Sequence, residues 1–282
     1  MQYTEMNRLL MLVVLPSLMF GHSQEARETA DDIVSKNLLS VGTQDARKSL
    51  QNLEFIGTGT LKSTRGNTVN GTLTLLSQGT KVKWSTKFNT QIYPDDQFVF
   101  DGSKVSVSQV HPGQRSTLGE FIWWQQSVLS EGLMGGELST AWPLFDDHLR
   151  NAKLSFEGTK KVDGHELYLL LYHPKKSVGD LRIELYFDPA NYHHVKTVYS
   201  ILAPPNYTPS SDNPGAIFEK NTQQENRRFR LEETFSDFRQ LGNVTLPMHY
   251  AVYFSADSSA ATENWFWTFD YKEVNGQKIP GT

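Results

Sequence analysis

The stretch Ser116-Thr-Leu-Gly-Glu-Phe-Ile-Trp-Trp-Gln-Gln-Ser-Val-Leu-Ser-Glu-Gly132 is a greasy helical pattern inside a chain that otherwise reads as β. Leu118, Phe121, Ile122, Val128 and Leu129 recur at helical spacing, with Gln125 as the polar interruption. Ser116 or Thr117 suits an N-cap, and Gly132 suits the stop. Trp123 and Trp124 widen the apolar stripe beyond what a surface helix needs. A β protein that carries such a helix must bury it against a sheet or in a barrel mouth. The segment therefore points to a lid or plug, and so to a cavity.

On both sides of this helix the pattern is that of strands. Leu53 to Lys62, Val69 to Ser77, Lys81 to Phe88, Gln97 to Phe100 and Lys104 to Val110 precede it, and Asp101-Gly102 makes the last two a hairpin. In Lys81 to Phe88 the residues Val82, Trp84, Thr86 and Phe88 share one face, as in a half-exposed antiparallel strand. Gly132 to Pro143 reads as a loop and is the best candidate for a domain boundary. A short helix is expected across Leu144 to Arg150. Strands resume at Lys153 to Thr159, Glu166 to Tyr172, Leu181 to Phe187 and His194 to Ile201. The run Leu167 to Tyr172 is apolar on both faces and needs cover on each. Ala203 to Gln224 reads as a long loop rich in Pro, Ser and Asn. Phe229 to Phe238, Leu246 to Phe254 and Trp265 to Val274 complete the strands. Near the N-terminus, Ala26 to Val41 fits one amphipathic helix with Gly42 at its end, and a short helical piece, Gln44 to Leu50, follows. The fold class is thus mainly β with a few helices: roughly ten strands in a curved antiparallel meander, an unclosed barrel with helices in or over its concave face.

Composition narrows the function classes. A net charge of -4 argues against nucleic acid as a partner, which would want a basic patch. The absence of cysteine removes disulfides, thiol nucleophiles, Cys-ligated zinc and a lipoprotein anchor. Arg8, the apolar run Leu9 to Phe20 and the small residues Gly21 and Ser23 have the layout of a secretory signal peptide cut after Ser23. The run falls short of the ~20 residues that span a bilayer, and Pro16 interrupts it. The expectation is an exported, periplasmic, monomeric protein with a single domain over residues 24–282.

No polar motif of comparable strength appears. Asp146-Asp147-His148 is the densest cluster, but adjacent helical residues point about 100° apart and rarely converge on one metal. His193-His194 follows a turn, and neighbouring strand residues face opposite sides, so a turn role is expected; His165-Glu166 meets the same objection. There is no Gly-x-Ser-x-Gly elbow, and Gly57-Thr-Gly59 lacks the glycines and helix of a phosphate loop. Carboxylates from separate strands could serve a hydrolase, and Glu120, Glu131, Glu184, Glu232 and Glu233 are the candidates. No cofactor, metal site or catalytic residue is assigned.

The apolar constellation is richer. Trp84, Phe98, Phe100, Phe121, Trp124, Leu133, Ile183, Leu185, Trp265 and Trp267, with Phe269, are abundant for one core. Either they form a plain packed core, or they line a concave face that takes an acyl chain beneath the Ser116 helix.

The layout resembles the bacterial outer-membrane lipoprotein-carrier group, the LolA/LolB-like fold, and in particular its larger exported relatives. The resemblance rests on Ala30-Asp-Asp-Ile-Val34, Phe55-Ile-Gly-Thr-Gly59, Phe100-Asp-Gly102, Glu131-Gly-Leu-Met-Gly-Gly136, Leu185-Tyr-Phe-Asp-Pro189 and the Leu246-Pro247 strand start. It covers most of the chain after the leader as an order of elements and turns, and this chain is longer by the Ala203 to Gln224 segment. It implies an unclosed barrel around helices and a cavity for acyl groups, with no functional residue carried over. A carrier or binder of a lipid or acylated protein is the first expectation. A structural or interaction module with envelope protein partners is the second, and a carboxylate-dependent hydrolase the third.

Overall fold

The computed structural model describes residues 28–63, 68–90, 95–145, 153–203, 227–257 and 262–279. The leader expected at 1–23, Asp146-Asp147-His148 and the segment after Ala203 lie outside the described residues, apart from Ala203 itself.

Thr29 opens helix α1 (Ala30–Val41): its hydroxyl accepts from the Asp32 N–H and its own N–H donates to the Asp32 carboxylate, a reciprocal cap. The helix begins at Ala30, four residues later than the periodicity from Ala26 suggests, because this cap sets its start. Ile33, Val34, Leu38 and Val41 form its buried face, and Gly42 closes it. Helix α2 (Gln44–Lys48) follows. Strands β1 (Asn52–Ser63), β2 (Val69–Gln78), β3 (Lys81–Phe88), β4 (Asp95–Phe100) and β5 (Val105–Val107) form the first meander. Helices α3 (Thr117–Trp124) and α4 (Ser127–Ser130) come next. The second meander is β6 (Leu154–Val162), β7 (His165–Tyr172), β8 (Arg182–Phe187), β9 (His194–Ala203), β10 (Arg227–Leu241), β11 (Val244–Asp257), β12 (Thr262–Val274) and the short β13 (Gln277–Lys278).

All thirteen strands belong to one antiparallel sheet in the order β5-β4-β3-β2-β1-β12-β11-β10-β9-β8-β7-β6, with β13 on β12. The joint between the two meanders is the long β1–β12 pairing, which brings Leu61 opposite Trp267. The sheet is not closed: β5 and β6 are its ends. The end strand β6 carries a bulge between Phe156 and Thr159 and the lysines 160 and 161, features that discourage another chain from pairing there.

The sheet must curl strongly. Helix α3 lies against β4 and β5, while its Phe121 ring packs on Phe229 of β10 and Phe254 of β11. From β5 to β10 is seven strand steps, about 34 Å if the sheet were flat. A helix is only ~10–12 Å across with its side chains. One helix reaches both strands because the sheet bends around it. The face toward the helices is the inner face, and strand alternation places Val82, Trp84, Thr86 and Phe88 there, as the sequence pattern requires. Leu170 and Tyr172 of β7 join the same interior. Leu167 and Leu169 pack with Tyr186 and Val198 in a second cluster on the outer face, so the doubly apolar strand is covered on both sides.

Two expectations change. The helix expected over Ser116 to Gly132 is two helices. Ser116 caps α3 as anticipated, but the helix ends at Gln125, whose N–H still donates to Phe121 O (2.8 Å) before the backbone leaves the helical region (φ -99°, ψ 61°). The stretch Gly132 to Pro143 is irregular, as expected, but it does not lie on the surface. All fourteen residues from Gly132 to Phe145 are buried, with a 3₁₀ turn at Gly136–Leu138, and Leu144 and Phe145 are not helical. Leu133, Met134, Leu138, Trp142 and Leu144 are 0 % exposed, so apolar burial outweighs the usual preference of irregular backbone for the surface. Among the described residues no helix is long and apolar enough to cross a membrane.

Gly132 makes the fold of this segment possible. Its φ is +71°, and a Cβ there would sit 1.9 Å from the Ala141 carbonyl oxygen. Gly79, at φ +55° in the β2–β3 turn, has nothing within 4 Å of the same position. Gly132→Ala should therefore lower the unfolding free energy by at least about 2 kcal/mol more than Gly79→Ala, which bears only the backbone cost. Equilibrium urea unfolding of the two variants measures the difference, and equal losses would refute the packing account.

Candidate lipid-facing interior and its plug

The ten residues singled out from the sequence share one apolar interior. Trp84 and Phe98 are cross-strand neighbours whose rings stack at 4.9 Å and 6°. Phe121 and Trp124 of α3 meet Phe229, and Phe121 also meets Phe254. Leu133 comes from the buried segment, Ile183 and Leu185 from the inner face of β8, and Trp267 from β12. Trp265 stacks beside Trp267 at the margin, and Phe100 lies at the opposite edge. Phe229 and Phe254 were not singled out. Both recur on the inward positions of long alternating strands, which is the signal that would have found them.

What fills this interior is the segment Gly132–Phe145, a plug held by polar contacts to strands on both sides. On one side Thr140 N–H donates to Ser77 Oγ of β2 (2.9 Å), and a Cβ at Gly135 would touch Leu75 of the same strand. On the other side Gly135 N–H donates to Glu233 Oε1 of β10 (2.7 Å). Glu233 is fully buried and also accepts from the hydroxyls of Tyr199 (2.7 Å) and Tyr250. Burial pushes its carboxyl above the ordinary range against the opposing effect of these three donors.

Glu137, in the 3₁₀ turn, is a second buried carboxyl. It accepts from Asn37 Nδ2 of α1 (2.6 Å), which also donates to Tyr192 O (2.8 Å). Next to it the His194 ring stacks on Trp142 (4.8 Å) and meets Phe235 at a tilt (4.9 Å, 40°). The turn role expected for His193-His194 is therefore corrected for His194. It opens β9 and points inward, while His193 packs flat on Phe238 at 4.1 Å. Two neighbours facing opposite sides is what strand geometry demands. Nothing in the local sequence marks Asn37, Glu137 and His194 as a group, since the Asn37–Glu137 contact spans 100 residues.

The five carboxylates weighed for hydrolysis are dispersed. Glu184 and Glu232 lie on the outer face in ion pairs with Arg182 and Lys160, and with Lys196 and Arg230. Glu120 pairs with Arg115, Glu131 accepts from the Tyr172 hydroxyl (2.7 Å), and Glu233 alone is inside. Among the described residues no group of three His, Asp or Glu could hold a metal ion.

The interior opens where the two ends of the sheet approach each other. Between β4–β5 and the β7–β8 connection lies a pocket of about 310 Å³, floored by the α3–α4 junction and lined by Phe100, Val105, Trp124, Gln125, Ser127 and Val178. Two ties cross this mouth: Gln125 Nε2 donates to Val178 O (2.8 Å), and Lys175 N–H donates to Glu131 Oε1 (2.9 Å). A larger groove of about 820 Å³ adjoins it across Phe100, lined by the start of β1, the β2–β3 turn and the end of β4, with Gln51, Asn52, Gln78, Lys81 and Asn275 among its residues.

The buried pair makes stability depend on pH. Burial pushes Glu137 up to about 8 from 4.5. The folded state holds that proton more tightly than the unfolded chain, so the associated stability, full below 4.5, is lost as pH rises toward 8. Burial pushes His194 down to about 3 from 6.5, so its contribution, full above 6.5, is lost as pH falls toward 3. His194 adds no slope above 6.5, where Glu137 still does. The unfolding free energy should fall between about pH 6.5 and 8.5, and Glu137→Gln should remove most of that fall. At about pH 8 the variant should be the more stable protein by about 1–3 kcal/mol. Denaturant titrations across this range decide it; an unchanged slope would show that Glu137 is not the group responsible.

No family model matches the chain, and no curated protein matches it. Among solved structures it is similar to a LolA superfamily protein from Nitrosomonas europaea, at 10% identity over 90% of this chain and 96% of that one, with a TM-score of 0.45. It is similar to a DUF1329 family protein from Desulfovibrio piger, at 11% identity over 91% and 95%, TM-score 0.40. It is also similar to a putative outer membrane lipoprotein-sorting protein domain from Vibrio parahaemolyticus, at 14% identity over 88% and 94%, TM-score 0.38. The lipoprotein-carrier group that the order of elements resembles is thus among the structures this chain is similar to, at low sequence identity.

Proposed function

We propose that this protein binds and carries the acyl chain of a lipid or acylated protein, without chemistry, inside the curled sheet, and that the chain takes the place of the Gly132–Phe145 plug. Trp84, Phe98, Phe100, Phe121, Trp124, Leu133, Ile183, Leu185, Trp265 and Trp267 are the residues proposed to meet it. The proposal includes export to the periplasm as a single-domain monomer, supported by the Arg8-led apolar run and Gly21 to Ser23.

The observation that carries the reading is the plug itself: irregular backbone, wholly buried, filling an interior whose wall is open on one side. Magnitudes say how it must move. Five fully buried large side chains at ~2 kcal/mol each hold it with roughly 10 kcal/mol, against about 1 kcal/mol for each hydrogen bond. Releasing the plug into water would cost about as much as unfolding the protein. An acyl chain recovers ~0.8 kcal/mol per buried methylene, so about twelve carbons offset the loss. The plug is therefore exchanged for a ligand, not simply opened.

Protein purified without detergent should take up one fluorescent fatty acid per chain, saturably. Hydrogen exchange should then show protection falling across 132–145 while β1 and β12 stay protected. No saturable uptake below the micelle concentration would sink the carrier reading and favour a structural module with a permanently filled interior.

A further inference from the structure

The outer face of the sheet carries a cluster of cations that the apolar interior does not use. Strand alternation turns Arg182 of β8, Ser200 and Leu202 of β9, and Arg228 and Arg230 of β10 to that face. Ser200 pairs with Arg182 on one side and with Arg230 on the other, so the two arginines flank it. Leu202, two residues on, pairs with Arg228. The charges do not cancel. Glu184 is shared by Arg182 and Lys160, and Glu232 by Arg230 and Lys196, so each trio keeps one positive charge in excess. Both arginines meet their glutamates through Nε, and their Nη groups have no partner among the described residues. Arg228 makes no ion pair among the described residues, although Asp257 stands opposite it in register. The chain as a whole carries -4, so composition alone does not explain a cationic patch.

Leu202 is 56 % exposed. A lone exposed leucine carries no message by itself. This one stands among three arginines and beside the mouth. The β7–β8 connection, whose Lys176 and Val178 line the mouth pocket, rests on β9 there: a Cβ at Gly179 would lie 3.2 Å from Ile201 Cδ1, next to Leu202. We propose that this patch docks the protein on an anionic phospholipid bilayer, with Arg182, Arg228 and Arg230 meeting lipid phosphates and Leu202 entering the acyl region. Guanidinium groups match phosphate geometry through paired N–H donors, which the free Nη groups supply. An acidic peptide would use the arginines but leave Leu202 without a role. Each cation near an anionic surface strengthens binding about fivefold, so three give roughly a hundredfold. Docking in this way sets the mouth next to the bilayer. The docking does not depend on acyl binding; its use, delivering an acyl chain to or from the mouth, rests on the carrier reading.

Cosedimentation tests it, with vesicles of one part phosphatidylglycerol to two parts phosphatidylcholine and vesicles of phosphatidylcholine alone. The protein should bind the mixed vesicles at least about tenfold more tightly, and salt should erode the difference. Replacing Arg182, Arg228 and Arg230 together by Gln should abolish the preference. Because that variant also breaks the Glu184 and Glu232 ion pairs, Ser200→Glu is the second probe. It keeps all three arginines, sets a carboxylate between two of them, and should weaken binding to mixed vesicles about fivefold or more. Leu202→Ser should weaken it several-fold without changing the salt dependence. A charge-matched control, Lys81, Lys83 and Lys87 on the outer face of β3 replaced by Gln, should bind like the wild type. Equal binding of the wild type to both vesicles, or equal losses in the arginine and lysine variants, would overturn the docking and leave acyl binding standing. Capture of a polyglutamate peptide without binding to mixed vesicles would overturn it too and assign the patch to an acidic protein. Failure to take up fatty acid from solution, with the vesicle preference intact, would sink the carrier reading alone.

Discussion

A sheet that curls far enough for one helix to touch both β5 and β10 encloses an apolar interior that something must fill. Here the chain fills it with itself. The order of elements follows from that constraint: the filling segment sits between the two meanders, so the sheet is laid around it from both directions. The β1–β12 pairing then joins the halves. At the two open ends of the sheet the helices take over: α3 lies against β5, and α1 against β6.

Apolar burial retains the plug, but hydrogen bonds give it a register. Gly135 on Glu233, Glu137 on Asn37 and Thr140 on Ser77 attach it to β10, α1 and β2. Each bond is small against roughly 10 kcal/mol of buried side chains. Moving Gly135 would take one of three donors from the buried Glu233, so these contacts favour one arrangement out of many greasy ones.

Much of the fold was legible because strands and caps are local. The alternation in Lys81 to Phe88, the Asp101-Gly102 turn and the Ser116 cap each depend on residues a few positions apart. The break at Gln125 was half legible: the polar residue stood out, but the partner that explains it, Val178 O, is 53 residues away. The plug was misjudged because glycines and a Trp-Pro step ordinarily mean surface, and only the enclosure made by distant strands reverses that. Asn37, Glu137 and His194 were illegible for the same reason. Single buried polar residues carry no pattern, and their partners are chosen by the fold.

The same enclosure accounts for the break at the α3–α4 junction. A continuous helix from Ser116 to Gly132 would satisfy its own backbone and lay Gln125 within its apolar stripe. Breaking the helix at Gln125 turns that residue toward the β7–β8 connection and sets Ser127 in the lining of the same pocket. The break removes helical hydrogen bonds and gives Gln125 Nε2 a partner at Val178 O instead, which ties the end of α3 to the β7–β8 connection across the open side of the sheet.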